Sequence, residues 1–411
     1  MSDRKPPPEG DSGDGSGPQS SGSANSGPAE SGVADTNGAT ASGADPGTLR
    51  RGFARRHKVL VGLAVVLGLL AASAAGYLYW ADQQIGNIAR VPVDFGERPT
   101  AGLPTPQEGE EDKEATGPLN ILLLGADNGE GAAEGKDSAS VEEELADGDW
   151  TPFSHRSDTM MIAHISADRQ DVQLVSIPRD TWVPIPGYPA DDGHGKINAA
   201  FAYGGPSLAV KTVQDLTGIP IDHLAIIDWV GFRDLTTALG GVRVYIPETF
   251  YDTSQGIEWT KGWHEYEGQE ALAYVRTRYN LPDESGDFGR IARQQNFMRA
   301  TMSKLLSTGT VANPIKLTRV INTVTKYLTV DETWDNDEIR SLALSMRSLR
   351  SADVEFLTAP LGKYDYVGKQ SIVRLAPRQV EALFDAVRQD DIDSYLEKYP
   401  DANLDGEQSI S

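Results

Sequence analysis

The chain has 411 residues, a formal net charge of −23 and no cysteine. The missing thiols exclude thiolate nucleophiles, Cys-ligated zinc and disulfides, and suit an exported protein that folds without cross-links. The excess of 60 acidic over 37 basic residues argues against nucleic acid as a partner, because a phosphate backbone is met by a basic face.

Residues 1–48 are mostly Gly, Ser, Ala, Asp and Pro. Such a segment cannot bury enough surface to offset its ordering entropy, so residues 1–58 are expected to be a disordered tail. It ends in a basic cluster, Arg50, Arg51, Arg55, Arg56 and Lys58. From Val59 to Trp80 no residue is charged, and about 20 apolar residues of helix span a bilayer core. Tyr77, Tyr79 and Trp80 close this stretch as interfacial aromatics do, and the next basic residue is Arg90. That asymmetry predicts a single-pass helix over 59–80, a cytoplasmic N-terminus and an extracellular remainder at the cell membrane. Ala72-Ser73-Ala74 also resembles a signal-peptidase site, but the long basic region and full spanning length favour an uncleaved anchor.

Residues 81–116 include a Pro/Glu/Gly-rich run and read as a partly ordered stalk, with a short strand over Ala89 to Phe95. Beyond them, apolar runs of strand length alternate with helical periods. Strands are expected over Asn120–Ala126, Thr159–Ser166, Val172–Ile177, His223–Asp228, Val242–Ile246 and Val354–Thr358. Helices are expected over Pro206–Leu216, Val230–Leu239, Glu267–Val275, Phe288–Leu306, Pro314–Leu328, Asp335–Leu349 and Pro377–Val387. Strands mixed with helices through residues 117–390 indicate one α/β domain of three layers. The acidic tail 391–411 is expected to be mobile.

The chemistry-bearing residues gather at strand ends and in one late segment. Asp127 follows the first apolar run, Asp158 precedes the second, and Arg179 and Asp180 close the third. Ligand sites in open α/β sheets form at strand ends, yet each aspartate taken alone is better explained by turn or cap duty, and only together do they point to a site. Arg276, Arg278, Asp287, Arg290, Arg293, Gln294 and Gln295 then follow within one short stretch. Concentrating guanidinium groups in so acidic a chain points to a bound anion, since the planar fork of Arg matches phosphate oxygens bidentately. Two carboxylates beside a phosphate site suit Mg²⁺, or Mn²⁺, which needs only one or two protein carboxylates besides phosphate oxygens. His155, His164, His194, His223 and His264 show no metal-ligand spacing and read as structural or exposed. Trp229, Trp259 and Trp263 are candidates either for sugar stacking or for core packing. The apolar stretches Ile197–Phe201, Ala225–Leu239 and Leu272–Val275 read either as core or as the lining of a lipid cavity.

The ordered series GAD (125–127), RSDTMM (156–161), SIPRDT (176–181), KINAAFAYGG (196–205), LGGVRV (239–244), EGQEALAYVRTR (267–278) and GDFGRIARQQ (286–295) resembles the LytR–CpsA–Psr family of bacterial cell-envelope proteins. The resemblance implies a three-layer α/β/α domain with a central mixed sheet behind one transmembrane helix. It implies transfer of an anionic glycopolymer, such as a teichoic acid, from a polyprenyl-pyrophosphate carrier to peptidoglycan. Asp127 and Asp158 match the family's Mg²⁺-associated aspartates. Arg179, Arg276, Arg278 and Arg290 match the arginines around the pyrophosphate, with Arg293 and Gln294 in the same motif. Asp287 matches the acidic residue ahead of the last arginine pair. The general base stays open between Asp287 and the metal-associated aspartates. Two departures stand out: Asn128-Gly129-Glu130 follow Asp127 where the family often has an arginine, and a long acidic insertion fills 128–155. A pyrophosphatase using water, or a non-catalytic carrier-binding regulator, are the competing functions.

Overall fold

The computed structural model describes residues 72–73, 75–100, 117–127, 150–253, 255–277 and 287–402. All of them belong to one unit, Leu70–Ser411. The basic tail, residues 59–71 of the expected membrane span and residues 128–149 of the acidic insertion lie outside the described residues. Among the described residues no helix is long and apolar enough to cross a membrane.

A seven-stranded mixed sheet organises the domain. Its order is β1 (Ala89–Val91), β12 (Leu328–Asp331), β7 (His223–Asp228), β2 (Leu119–Asp127), β3 (Arg156–Ile165), β4 (Val172–Ser176), β13 (Val354–Thr358). The pairs β1–β12, β7–β2 and β4–β13 are parallel, and β12–β7, β2–β3 and β3–β4 antiparallel. Four two-stranded ribbons surround it: β5 (Trp182–Pro184) with β6 (His194–Lys196), β8 (Val242–Ile246) with β11 (Gly262–Tyr266), β9 (Phe250–Asp252) with β10 (Ile257–Trp259), and β14 (Leu361–Val367) with β15 (Gln370–Leu375).

The nearly unbroken apolar strands are explained by burial on both sheet faces. On β2 and β3, Leu122, Leu124, Met160 and Ile162 enter one core with Val210 and Val213 of α1 (Asn198–Thr217). Leu383 and Phe384 of α8 (Pro377–Arg388) and Tyr395 of α9 (Ile392–Lys398) complete that layer. Their neighbours Ile121, Met161 and Ala163 face the opposite way, as the period of two demands. There they meet Met298 and Met302 of α4 (Asp287–Leu306) and Ile339 and Leu342 of α7 (Asn336–Ser345). A third core joins α2 (Trp229–Ala238), α3 (Gly268–Arg276) and α6 (Pro314–Tyr327) to β8 and to Phe297 of α4. The short α5 (Thr308–Val311) links α4 to α6.

Local chemistry sets the helix ends. Asp335 accepts from the Glu338 N–H at 2.8 Å while Glu338 takes the Asp335 N–H at 3.2 Å, a capping box that starts α7. Asn313 and Pro314 start α6. The sequence predicts α1 only from Pro206. The structure adds the turn Asn198–Tyr203, joined across a kink in which Gly205 has φ 67°. A Cβ there would lie 3.0 Å from the Trp150 ring, so glycine is needed for conformation and for space.

Two expectations are corrected. The stalk does not begin at residue 81: residues 75–85 are helical, Ile85 and Ile88 enter the core, and β1 completes the sheet. Asp82 pairs with Arg340 of α7. Nor is the whole stretch from Asp390 onward a loose tail. The Asp390 carboxylate lies 2.9 Å from Nε2 of fully buried His164 and accepts from the Ala167 N–H at 3.0 Å, and Ile392 and Tyr395 are core residues. Buried apolar side chains two turns past α8 outweigh the local acidity.

Candidate active site at the strand ends

Parallel β2, β4 and β7 all finish at one end of the sheet, where antiparallel β3 begins. Asp127, the last residue of β2, lies opposite Arg156 in the register. The pairing then slips: Ala126 faces Ser157 but Gly125 faces Thr159, which leaves Asp158 as the extra residue of a bulge. Bulges of this kind re-aim one side chain out of the pleat. Asp127 and Asp158 are therefore on neighbouring strands at the same end of the sheet, the arrangement that joint ligation requires. The Asp127 side chain lies outside the described residues.

Arg179 follows β4 and pairs through Nη1 with Oδ1 of Asp158, both side chains mostly buried. The series of alternating charges continues through Asp180, 3.6 Å from Arg179 Nε, to Lys196 Nζ at 2.8 Å. Backbone bonds fix the loop: the Asn198 N–H donates to the Arg179 carbonyl, and the Val373 N–H to that of Asp180. Asp158, Thr159, Ser176, Arg179, Gln294 and Met298 line a small cleft of about 30 Å³. That is room for one water molecule.

α3 and α4 bring the second half. Gln294 donates from Nε2 to the Val275 carbonyl at 3.3 Å, tying the end of α3 to the Asp158–Arg179 cleft. Arg293 is 6% exposed and donates from Nη2 to the Thr277 carbonyl at 3.0 Å, with its guanidinium 5.9 Å from the Phe250 ring. Both side chains thus grip the end of α3, Gln294 at Val275 and Arg293 at Thr277. Gln255 reinforces it, donating to the Ala273 carbonyl at 2.9 Å and to Thr277 Oγ1 at 3.2 Å. Arg276 stacks over Trp229, 4.9 Å from the ring centroid, and Trp229 opens α2 directly after Asp228 at the end of β7. Asp228 lies opposite Ala126 of β2, so Arg276 is held over the strand next to that of Asp127. Burial pushes the Asp228 carboxyl above the usual carboxylate range, opposed by the N–H groups of Gly231 and Val230 that it caps.

Of the residues singled out from sequence, the structure gathers Asp158, Arg179, Arg276, Arg293 and Gln294 with the backbone of Asp127. Asp287 begins α4 and Arg290 lies one turn before Gln294 on the same helix, their side chains outside the described residues. Arg278 lies outside them altogether. The sequence does not mark Asp180 as the bridge from Arg179 to Lys196, Gln255 as a tie to Thr277, or Trp229 as the platform for Arg276. Lys196 and Gln255 are single polar residues in ribbons and turns, and no spacing marked them. Trp259 packs against Tyr266 and Tyr274, both centroids at 5.3 Å, so it is core. The three apolar stretches contribute to three separate cores, so packing is one of their roles.

Among the described residues no three carboxylate or imidazole side chains converge as a metal cluster. The described donor at the strand ends, Asp158, offers hard carboxylate oxygen. That fits Mg²⁺ or Mn²⁺ completed by substrate oxygens and does not fit zinc.

Comparison with known proteins agrees with this geometry. The LytR_cpsA_psr family matches residues 98–388. The cell wall biosynthesis protein LcpA of Corynebacterium glutamicum is 31% identical over 80% of this chain, which spans 65% of LcpA's length. A polyisoprenyl-teichoic acid–peptidoglycan teichoic acid transferase, TagU of Enterococcus faecalis, is 31% identical over 71% of this chain and 82% of its own. In fold, the chain is similar to a LytR-Csp2A-Psr enzyme from Actinomyces oris, with a TM-score of 0.53 over 74% of this chain and 96% of that one at 22% identity. The matched span contains every strand of the central sheet except β1, and all the gathered site residues. The chain belongs to the LytR–CpsA–Psr family.

Proposed function

We propose that this protein is a membrane-anchored phosphotransferase of cell-wall assembly. It would move an anionic glycopolymer from a polyprenyl-pyrophosphate carrier to peptidoglycan. The observation that carries the reading is the pair of Asp158, set in a bulge of β3, with Arg179 from the loop after β4, both lining a cleft that Gln294 of α4 also lines. The expected membrane helix supplies access to a lipid-borne donor, and the names of relatives such as TagU supply the substrate class.

The acceptor hydroxyl oxygen forms a bond to the glycan-bearing phosphorus as the bond to the carrier phosphate breaks. The hydroxyl proton passes to a carboxylate, and polyprenyl phosphate leaves. Charge on the phosphoryl oxygens is the main obstacle, so preorganised donors give the largest gain. Arg179 is preorganised by Asp158 and Asp180, and Arg276 by the Trp229 face. Arg278 and Arg290 complete the set in this reading, with Asp287 or an aspartate of the metal pair as base. Asp127 and Asp158 would hold Mg²⁺ or Mn²⁺, which neutralises pyrophosphate charge when bound.

The test is to incubate the full chain with lipid-linked glycan and peptidoglycan oligomers and look for a phosphodiester conjugate. Arg179→Lys should reduce turnover by on the order of 10²-fold, because a point charge loses the bidentate geometry. Asp158→Asn should lower activity and raise the Mg²⁺ concentration needed for half-maximal rate. Free glycan phosphate without conjugate would make the protein a hydrolase, and wild-type turnover in both variants would refute the site.

A further inference from the structure

The outer end of the expected span lies in a helix described over residues 75–85, and its partner in the domain is α7. A Cβ on Gly86 would lie 3.6 Å from Asn336 Nδ2, and Asp82 pairs with Arg340. Moving four residues forward on α7 thus moves four back on the anchor helix, so the two run antiparallel. Extended by one further turn, the same antiparallel spacing would bring Leu344 level with Leu78. Both are exposed, at 54% and 65%, as is Tyr79 at 67%. Residues 77–80 are the outer end of the expected membrane span.

The end of α7 is also charged in one sense only. From Ile339 to Ala352 the charged residues are Arg340, Arg347 and Arg350, in a chain of net charge −23. Asp82 and Asp337 occupy Arg340. Arg347 donates to the Leu344 carbonyl at 3.0 Å, and Asp353 accepts the backbone N–H of Arg350 at 2.8 Å. Both guanidinium groups stand at the surface. An exposed leucine flanked by surface arginines, beside a helix entering a bilayer, has the chemistry of an interfacial segment.

We propose that Leu344 to Arg350 dock on the anionic phospholipid headgroups of the leaflet from which the chain emerges. The proposal rests on the reading that residues 59–80 span the membrane. Leu344 inserts beside Leu78 and Tyr79, while Arg347 and Arg350 meet lipid phosphates. A second contact beside the anchor restrains rotation of the domain about it, which holds the strand-end site at a fixed height for a lipid-borne substrate.

The absence of cysteine makes single-cysteine labelling direct. The full chain is placed in nanodiscs of phosphatidylcholine and phosphatidylglycerol bearing a headgroup-proximal doxyl quencher. Bimane is attached in turn to Leu344→Cys, to Leu69→Cys in the span, and to Glu397→Cys on α9, which packs on the other face of the sheet. Quenching at 344 should be at least twofold that at 397. Arg347→Glu with Arg350→Glu should reduce it to the 397 level, since each basic residue near an anionic surface is worth about fivefold in partitioning. Strong quenching at 69 with 344 no different from 397 overturns the docking and leaves the anchor standing. No quenching at 69 overturns both. Quenching at 344 that survives the charge reversal, or is equal in phosphatidylcholine alone, overturns the headgroup assignment.

Discussion

Arg293→Met separates gripping the arginine segment from touching the substrate. The Arg293 guanidinium is buried and donates to the Thr277 carbonyl at 3.0 Å. A hydrogen bond from a charged donor contributes about 1.5–3 kcal/mol net, and its loss also leaves a buried carbonyl unpaired at about 1–3 kcal/mol. Methionine restores most of the apolar stem packing, which offsets roughly 1 kcal/mol. A net loss of about 1.5–5 kcal/mol should lower the melting temperature by roughly 3–20 °C for a domain of this size. Turnover should fall with it, because Arg276 and Arg278 flank Thr277 and a displacement of about 1 Å at a catalytic group costs about 10²-fold. Calorimetry and initial transfer rates measured on the same preparations check both numbers. An unchanged melting temperature with abolished turnover would refute the reasoning and make Arg293 a substrate ligand. Arg276→Ala, by contrast, should abolish turnover with little thermal effect, since that side chain is partly exposed and stacked on Trp229.

Gly231→Ala should destabilise by about 1–3 kcal/mol, because its Cβ would lie 2.5 Å from Tyr327 Cβ and 3.1 Å from Ile227 Cγ1; an unchanged urea midpoint would show that α2 and α6 separate freely. Acid stability should follow two opposed sets of carboxyls. Burial raises those of Asp222, Asp228 and Glu355, so their protonation on mild acidification favours the fold. Burial also opposes ionisation of Asp331 and Asp390, but hydrogen bonds from His223 and Thr333 to the first, and from His164 and the Ala167 N–H to the second, hold them below the usual range. Their contribution is complete above the unfolded value of about 3.9 and is lost as pH falls through the lower folded values. Stability should therefore hold or rise from pH 7 to about 5 and drop below about 4. Asp331→Asn should flatten that acid limb in denaturant titrations, and an unchanged limb would remove Asp331 from the account.

Legibility from sequence tracked length and burial. β7, β8 and β13 match their expected bounds residue for residue, because each is five or six residues of apolar or β-branched run closed by a turn signal. The three-residue strands of β5, β6, β9 and β10 are too short to show a period. β12 was partly hidden: Leu328 continues the helical pattern of α6, and only pairing with β7 and β1 turns it into strand. At the site, strand ends and the arginine segment were readable as chemistry. What was not readable is which arginines face outward. Arg290 and Arg293 look alike in sequence, and burial of Arg293 under the Thr277 carbonyl appears only once α3 and α4 are packed.

In the proposed role a chain of net charge −23 must capture a polyanion, which poses an electrostatic problem. Charges farther apart than about 8 Å are largely screened at physiological ionic strength, whereas partly buried groups are screened much less. The acidic exterior can therefore repel bulk polymer and product while a few sheltered guanidinium groups still bind. Arg179 and Arg276 are sheltered in this sense, one between Asp158 and Asp180 and the other on the face of Trp229. The acidic partners of Arg179 do not remove it from the cleft, because a carboxylate held in a bulge fixes the position of the guanidinium fork there. Raising salt should then screen the long-range repulsion of the polymer and leave the sheltered pairing nearly intact. The KM for lipid-linked glycan should hold or fall between 50 mM and 500 mM salt while kcat changes little; a KM that climbs steeply would mean that the arginines are solvated, and that the strand-end cleft does not shelter the reacting phosphate.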